Sequence, residues 1–265
     1  MGIIDIYRKN KNLVPFAVRS RFLALATKLG LVDRLFLRCA RRFYASCGII
    51  QKGDLVYDVG ANIGDYTQMY LDLGARVVAV EPQPNLVEKL RGRFAGRDVQ
   101  VVPNGLDARE SELELFICDV DGASTFSTEW RDVMERDSRK EGYNRNFSGR
   151  KIKVKNTTLD ILIAKYGVPK YCKIDVEGFE RPVLSGLSRK IHYISFEAHC
   201  RLREEAFACI DLLDLRVPCR FNYTDWWPER FALPDWTDSA SLKKALNAEW
   251  EKNATWGGDI FVKSE

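Results

Sequence analysis

Residues 55–82, LVYDVGANIGDYTQMYLDLGARVVAVEP, decide the fold. Two apolar runs, 55–57 and 77–80, are too short for helices, and the residues between them space their apolar side chains as a helix does. A strand, a helix and a second, parallel strand therefore follow one another. A carboxylate comes directly after each run, Asp58 and Glu81, and ligands of such folds bind beyond the carboxyl ends of the strands. The stretch predicts a nucleotide-recognising βαβ unit.

The turn after the first strand contains two glycines and an asparagine. Gly60 lets backbone approach a ligand, and Gly64 lets the helix lie close to the sheet. A dinucleotide fingerprint has a further glycine where pyrophosphate presses on the backbone, and Asn62 stands there. Asparagine tolerates a positive φ angle and offers an amide. The turn favours a phosphate-free cofactor, S-adenosylmethionine, with its ribose hydroxyls bound by Glu81; a glycine turn that binds nothing is the alternative.

The composition indicates one large domain. A chain of 265 residues with 46% apolar content can bury a single α/β core with extensions. Seven cysteines without a CxxC pair indicate reduced thiols and a cytoplasmic protein. Two histidines exclude a histidine-rich metal site but leave an oxygen-ligand site open. The sequence shows neither a membrane-spanning run nor the layout of a signal peptide.

The first 50 residues are strongly basic. They hold ten Lys or Arg against two Asp, a charge of +8, so the rest of the chain carries −4. Their apolar residues predict two amphipathic helices separated near Gly30. We expect residues 1–50 to stand apart from the core of a domain at 51–265. The basic face either contacts anionic lipid at the inner membrane face, an acidic partner or a phosphorylated acceptor, or, as we favour, is only a solvated surface. The net acidic remainder argues against a nucleic-acid partner.

Polar residues end five successive predicted strands and would share one rim of a parallel sheet. They are Asp58; Glu81; Asn104 with Asp107; Asp175 with Glu177; and Glu197 with His199. At the third strand, Asn104 and Asp107 are expected at the adenine edge of the same cofactor, with a simple Asn-Gly turn as the alternative. Repulsion and burial would raise the pKa of some of these carboxyls, as base chemistry requires.

Two segments are candidates for acceptor binding. The charged stretch 119–151 is long for a loop in a compact domain and predicts a lid insertion over the acceptor. Five of the six tryptophans lie within residues 226–256. They predict either an aromatic wall for a sugar or apolar acceptor, or an anchor for a long connection.

Seven short motifs together resemble the FkbM family of S-adenosylmethionine-dependent methyltransferases over residues 52–199. The motifs are DVGANIGDYT at 58–67, VEPQPN at 80–85, PNGLD at 103–107, GAST at 122–125, TLD at 158–160, KIDVEGFE at 173–180 and FEAH at 196–199. The resemblance implies a Rossmann-like α/β fold: a seven-stranded, mostly parallel sheet with its last strand reversed and helices on both faces. It also implies methyl transfer to a hydroxyl of a sugar, glycan or natural product.

The resemblance implies roles for individual residues as well. Asp58, Gly60, Asn62 and Gly64 would form the methionine-side turn. Glu81 would bind the ribose. Asp175 and Glu177 would lie beside the transferred methyl group.

The base that takes the hydroxyl proton is one of three residues, Asp175, Glu177 or His199. His199 has the useful unperturbed pKa, whereas Glu177 follows the strand end most directly. A structural histidine is an equal alternative for His199. Two other functions remain open: a metal-assisted, catechol-type methyltransferase with Asp175 and Glu177 as cation ligands, and a non-catalytic binding protein. We expect no metal.

Overall fold

The computed structural model describes residues 31–119, 122–141, 147 and 149–265, and a seven-stranded sheet forms its centre. The strands lie in the order β3 (Val99–Val102), β2 (Arg76–Val80), β1 (Leu55–Val59), β7 (Tyr171–Ile174), β8 (Tyr193–His199), β10 (Gly257–Ser264) and β9 (Cys219–Tyr223). The first five are parallel, and β10 runs antiparallel to both of its neighbours. The predicted Rossmann-like sheet with its last strand reversed is confirmed.

Helices cover both faces of this sheet. In chain order, the α-helices of the described residues are α1 (Leu31–Ser46), α2 (Asp65–Asp72), α3 (Pro84–Arg93), α4 (Thr128–Glu141), α5 (Leu159–Tyr166), α6 (Glu180–Ser185), α7 (Arg203–Asp214) and α8 (Ser239–Lys252), and all but α4 contribute to the two clusters that cover the sheet. Successive residues of a strand point to opposite faces. Accordingly, Val56 of β1 packs in a cluster with α1, α2 and α3, whereas Tyr57 packs in a cluster with α5 to α8.

Helix α1 belongs to the core, which differs from the prediction that residues 1–50 stand apart from it. Phe43 and Tyr44 are buried in the cluster beneath β1 and β2. The Tyr44 hydroxyl lies 2.7 Å from that of Tyr171, which lies 2.6 Å from Ser195 Oγ. The basic charge of this segment gave no signal of these aromatic contacts. The predicted helix before Gly30 falls outside the described residues, and no helix within the described ranges is long and apolar enough to cross a bilayer.

A second, three-stranded sheet stands beside the main one. Its strands lie in the order β4 (Gly105–Leu106), β6 (Lys151–Thr157) and β5 (Ser111–Phe116). Between β5 and β6 comes α4, the only helix that the described residues show within the predicted insertion 119–151. Trp130 and Val133 of α4 are buried in one cluster with Phe116. The insertion is therefore packed onto the domain through its helix.

Candidate active site

A cleft with about 560 Å³ of open space lies at the carboxyl ends of β1, β2 and β7. It brings together six of the residues predicted for the site: Gly60, Asn62, Glu81, Asn104, Asp175 and Glu177. A lining of apolar side chains with a few convergent polar groups is typical of small-molecule and cofactor sites. One end is apolar, because the rings of Phe126 and Phe179 face it with their centroids 5.3 Å apart.

Gly60 brings the β1 turn against the end of β7. Its φ angle is 84°, and a Cβ atom there would lie 1.8 Å from the carbonyl oxygen of Asp175. No side chain can be accommodated at that distance. The absence of a side chain therefore lets the two strand ends form one continuous floor.

Glu81 ties the first turn to the segment that follows β2. It is 4% exposed, and its two carboxylate oxygens accept the backbone N–H groups of Asn62 and Gln83, each at 2.9 Å. Burial raises the pKa of this carboxyl, although both hydrogen bonds favour the ionised form. A carboxylate has about four acceptor positions, so each oxygen retains capacity for a hydroxyl donor.

Asn62 has an unsatisfied acceptor in the cleft. Its φ angle is 49°, as the sequence allows. Its side-chain oxygen is buried and has no hydrogen-bond partner within the described part of the chain. A buried acceptor of this kind is costly unless a ligand or water donates to it. The residues present thus fit a nucleoside cofactor that brings both hydroxyl and N–H donors.

Three of the residues predicted to bind the cofactor lie outside the lining of the cleft. Asp58 is buried within β1, where its carboxylate accepts the Thr67 hydroxyl at 2.6 Å and burial raises its pKa to about 6. Gly64 has a φ angle of 87°, and a Cβ there would meet Phe94 at 2.5 Å, so it packs α2 against the end of α3. The Asp107 carboxylate accepts from the Ala108 N–H and the Ser111 hydroxyl.

Asn104 lines the cleft, and its side-chain nitrogen is hydrogen-bonded to the second sheet. Its Nδ2 donates to the carbonyl oxygen of Lys155 at 3.0 Å. The side-chain oxygen is the remaining acceptor toward a ligand. This arrangement is compatible with the predicted place beside the cofactor base.

Lys173 is a buried cation that the sequence analysis did not assign to the site. Its side chain is 3% exposed, and Nζ lies 2.7 Å from Asp175 Oδ2 and 4.0 Å from Asp259 Oδ1. Burial alone would lower the pKa of this lysine, and the two carboxylates instead raise it well above its usual value. The ammonium group also stands 4.7 Å from the centroid of the Tyr66 ring. It therefore fixes one oxygen of Asp175 and leaves the other for the cleft.

Glu177 occupies a strained turn that the insertion holds. Its φ angle is 55°, an uncommon value for a residue with a side chain. Thr125 Oγ1 donates to its carbonyl oxygen at 2.6 Å, and Trp130 Nε1 donates to its Oε2 at 2.8 Å. Glu180 Oε1 accepts the backbone N–H groups of Val176 and Gly178, which flank Glu177. The sequence motif pointed to Glu177 but gave no signal for Trp130.

A third carboxylate joins Asp175 and Glu177. Carboxylate oxygens of these two residues and of Glu197 lie within 4.8 Å of one another. Burial raises the pKa of Glu197 well above its usual value, and the negative charges of Asp175 and Glu177 raise it further. The group is thus able to share a proton or to hold a cation.

His199 lies in a neighbouring cavity rather than in the lining of the cleft. This cavity, about 350 Å³, is bounded by Trp130, Glu197 and Glu205 as well. The Nδ1 atom accepts the backbone N–H of Arg201 at 3.1 Å. A neutral ring with that acceptor carries its proton on Nε2, which is then a donor and not a base.

The C-terminal tryptophans divide between the two predicted roles. Trp250 and Trp256 are buried in the core, as an anchor would be. Trp226 is 44% exposed, and its ring centroid lies 6.1 Å from that of His199. This ring therefore lies beside a rim residue, as the predicted aromatic wall requires.

The insertion also reaches the cofactor cleft. Ser124 and Phe126 line it, and a Cβ at Gly122 would lie 2.8 Å from the Asn62 amide nitrogen. The part of the insertion nearest β5 therefore covers the first turn. Its role as a lid over the acceptor stays a prediction.

The sheet order, the reversed β10 and the cleft at the strand ends together define a Rossmann-like methyltransferase. The family model that matches the chain is that of the methyltransferase FkbM domain, over residues 58–221. The chain belongs to this family of S-adenosylmethionine-dependent methyltransferases.

Individual relatives are more distant. A chloroplastic ribosomal RNA small subunit methyltransferase of Arabidopsis thaliana is 39% identical over 54 residues, which are 20% of this chain and 16% of that protein. The match thus spans less than a fifth of the relative's length.

Solved methyltransferase structures show only a weak similarity to the chain, with low identity and TM-scores below 0.5. Precorrin-6y C5,15-methyltransferase from Geobacter metallireducens is 11% identical with a TM-score of 0.44, covering 88% of each chain. A TehB-like methyltransferase from Corynebacterium glutamicum is 10% identical with a TM-score of 0.43, covering 94% of this chain and 100% of that one. Fibrillarin from Aeropyrum pernix, with natively bound S-adenosyl-L-methionine, is 10% identical with a TM-score of 0.39, covering 80% and 67%.

Proposed function

We propose that the protein is an O-methyltransferase that transfers the methyl group of S-adenosylmethionine to a hydroxyl of a sugar, glycan or natural product. The observation that carries this proposal is the group of three carboxylates beside the cofactor cleft. A hydroxyl is a weak nucleophile and must lose its proton during the transfer. Asp175 and Glu177 line the cleft and could accept that proton.

Different residues of the cleft would bind different parts of the cofactor. Bound S-adenosylmethionine supplies a methyl group activated by a positively charged sulfur. Glu81 would accept the ribose hydroxyls with the oxygen positions that its two backbone bonds leave open. The unpartnered oxygen of Asn62 would accept an N–H group. The apolar end formed by Phe126 and Phe179 suits the adenine base.

The two carboxylates of the cleft are better placed as bases than His199. Lys173 Nζ donates to one oxygen of Asp175, and Trp130 Nε1 donates to one oxygen of Glu177, so each carboxylate is oriented by a specific donor. His199 lies outside the lining of the cleft, with its Nδ1 already accepting a bond. Orientation of this kind removes much of the entropic barrier to transfer. We therefore favour Asp175 or Glu177 over His199 as the general base.

A metal-assisted reaction is the second candidate, because Asp175, Glu177 and Glu197 could ligate a divalent cation. The Lys173 ammonium already supplies a positive charge to Asp175, which weakens this candidate. Methyl transfer that persists in EDTA would exclude it. Loss of activity in EDTA, with recovery on adding magnesium, would establish it.

The acceptor remains a proposal. The relative from Arabidopsis thaliana is named for ribosomal RNA, so the sequence argument against a nucleic-acid acceptor is not supported. Contact of the basic N-terminal residues with a lipid-linked acceptor is a further proposal, as is a cytoplasmic location. An RNA acceptor therefore belongs in the same screen as sugars and glycans.

The test is a screen of purified protein with S-adenosylmethionine against hydroxylated sugars, lipid-linked glycans and short structured RNA. Mass spectrometry should detect a gain of one methyl group on a hydroxylated acceptor. Replacing Asp175, Glu177 and His199 singly with Ala assigns the base, and turnover that survives all three changes would contradict the assignment. Calorimetry without any heat of cofactor binding would instead favour a non-catalytic scaffold.

A further inference from the structure

Trp130 of α4 packs directly on the turn that carries Glu177. The residue is 3% exposed, and its Nε1 donates to Glu177 Oε2 at 2.8 Å. A Cβ atom at Gly178 would lie 2.8 Å from the Trp130 Cβ, so the glycine permits this approach. The indole ring lies 5.0 Å from the imidazole ring of His199, measured between centroids. One side chain of the insertion thus contacts a predicted base and bounds the neighbouring cavity.

The turn itself needs external support. Glu177 and Gly178 have φ angles of 55° and 82°, so two successive residues are left-handed. A residue with a side chain keeps that conformation only where its surroundings hold it. Thr125 and Glu180 hold the main chain of the turn through hydrogen bonds. Trp130 holds the carboxylate.

The bond from Trp130 differs in kind from packing. Tryptophan is a donor only, and the carboxylate of Glu177 accepts from it at a charge-assisted distance. With Oε2 fixed by the indole, the carboxylate cannot rotate freely. Its position among the three carboxylates of the site follows from the position of α4.

We propose that Trp130 is a positioning residue, which orients the Glu177 carboxylate for methyl transfer and couples α4 to the cofactor cleft through its indole N–H. The first half of this proposal rests on the proposed function, since it requires Glu177 to act in the reaction. The second half concerns the fold and the cofactor cleft alone. Two independent measurements therefore separate them.

A matched pair of variants isolates the hydrogen bond. Trp130→Phe keeps an aromatic ring and removes the indole N–H. Trp250→Phe is the control, because Trp250 is equally buried and its Nε1 has no hydrogen-bond partner among the described residues. If Trp130 only fills space in the cluster with Phe116 and Val133, the two changes should have similar effects. Thermal unfolding of both variants reports the shared cost of a smaller ring.

The coupling is measured by NMR of protein labelled with ¹⁵N at the tryptophan indoles, with the Trp130 resonance assigned by its loss in Trp130→Phe. Saturation with S-adenosylhomocysteine should shift that resonance and leave the Trp250 resonance in place. In Glu177→Ala the Trp130 response should disappear. If neither the ligand nor Glu177→Ala changes the chemical shift of the Trp130 resonance, the proposed coupling is wrong.

The positioning role is measured by kinetics on an acceptor from the screen. Trp130→Phe should lower kcat about 10- to 100-fold, the loss expected for a hydrogen bond to a charged group, while the dissociation constant for S-adenosylhomocysteine stays within about twofold. A kcat equal to that of Trp250→Phe would overturn the role. If wild-type protein methylates no acceptor, the proposed function and this role fail together, and the NMR measurement still decides the coupling.

Discussion

Glu81 serves the fold and the site with one carboxylate. Its two oxygens hold the N–H groups of Asn62 and Gln83, and so join the turn after β1 to the start of α3. Glu81 also lines the cleft. A carboxylate at this place therefore has two separable contributions, to stability and to cofactor affinity.

Replacing Glu81 separates these contributions. We expect Glu81→Ala to lower stability by about 1–3 kcal/mol for each buried N–H group left without an acceptor, and to weaken S-adenosylhomocysteine binding about 10- to 100-fold. Glu81→Gln keeps one acceptor and should lose less stability. Urea unfolding and isothermal calorimetry measure the two effects.

Asp107→Asn is the matched control for Glu81, because this acid also comes directly after a strand, β4, but does not line the cleft. Its cofactor affinity should equal that of wild type. Equal loss of affinity in both variants would show that the cleft extends to Asp107.

Glu180 makes stability depend on pH. It is buried, and desolvation raises its pKa from 4.5 to about 7. Since the pKa in the folded state lies above that in the unfolded state, the folded protein binds more protons between pH 4.5 and 7. The stability that this group contributes is therefore lost as pH rises through that window, by about 3 kcal/mol in total.

Glu180→Gln should remove this dependence. Glutamine keeps Oε1, which accepts the N–H groups of Val176 and Gly178, and carries no charge to bury. We expect the variant to be more stable than wild type at pH 8, with a smaller difference at pH 5. Urea titrations at both pH values measure this, and a variant less stable than wild type at pH 8 would contradict it.

Strand-end acids could be predicted from the sequence, whereas their partners could not. Glu81 and Asp175 come directly after apolar runs, so the rule for parallel sheets places them at one rim. Trp130 stands in a charged stretch more than forty residues from Glu177 in the chain, and no local pattern connects the two. Asp107 fits the same strand-end pattern as Glu81, but its carboxylate binds its own loop. Local patterns do not determine which way a side chain turns.

Helix α1 shows a similar limit at the scale of elements. Its amphipathic pattern predicted a helix, and the described part of the chain has one at Leu31–Ser46. Its positive charge suggested a separate extension, because a sequence shows how many arginines a helix carries but not whether its apolar face packs on the domain. The buried face carries Phe43 and Tyr44 into the core beneath the sheet. The division at residue 50 therefore remains a prediction that stability measurements can test.

Phe43→Ala provides that test. The ring contacts Phe261 and Phe231 edge to face, so its removal leaves a cavity between α1 and the sheet. We expect a loss of about 3–5 kcal/mol in the free energy of unfolding. Leu215→Ala, at a side chain that is 85% exposed, should change it by less than about 0.5 kcal/mol. Similar values for the two variants would mean that α1 is not part of the folding unit.

At the scale of the whole molecule, the seven-stranded, mostly parallel sheet with its last strand reversed could be predicted, because the resemblance to the family implies it. The second sheet could not, since β4 has two residues and pairs with a strand about fifty residues later. Non-local pairings of this kind leave no periodic signal. The second sheet nevertheless supports the site, because its strand β6 provides the carbonyl oxygen of Lys155 that accepts the Asn104 side chain.

The whole domain should respond to its cofactor. S-adenosylhomocysteine at about 100 times its dissociation constant should stabilise the folded state by about 2.7 kcal/mol, which raises the melting temperature by roughly 5 °C or more. NADH should give no shift, because Asn62 stands where a dinucleotide needs a glycine. Differential scanning calorimetry compares the two ligands. Stabilisation by NADH alone would overturn the assignment of the cleft.

Strand β10 has a consequence for biosynthesis. It follows β8 and β9 along the chain but lies between them in the sheet. A ribosome therefore delivers β9 before the strand that connects it to its neighbours, and until residues 257–264 emerge the edge of β8 is an unpaired template. Translation that stalls in this interval would release a polypeptide prone to associate with other nascent copies, so chaperone demand should peak just before synthesis of this strand is complete.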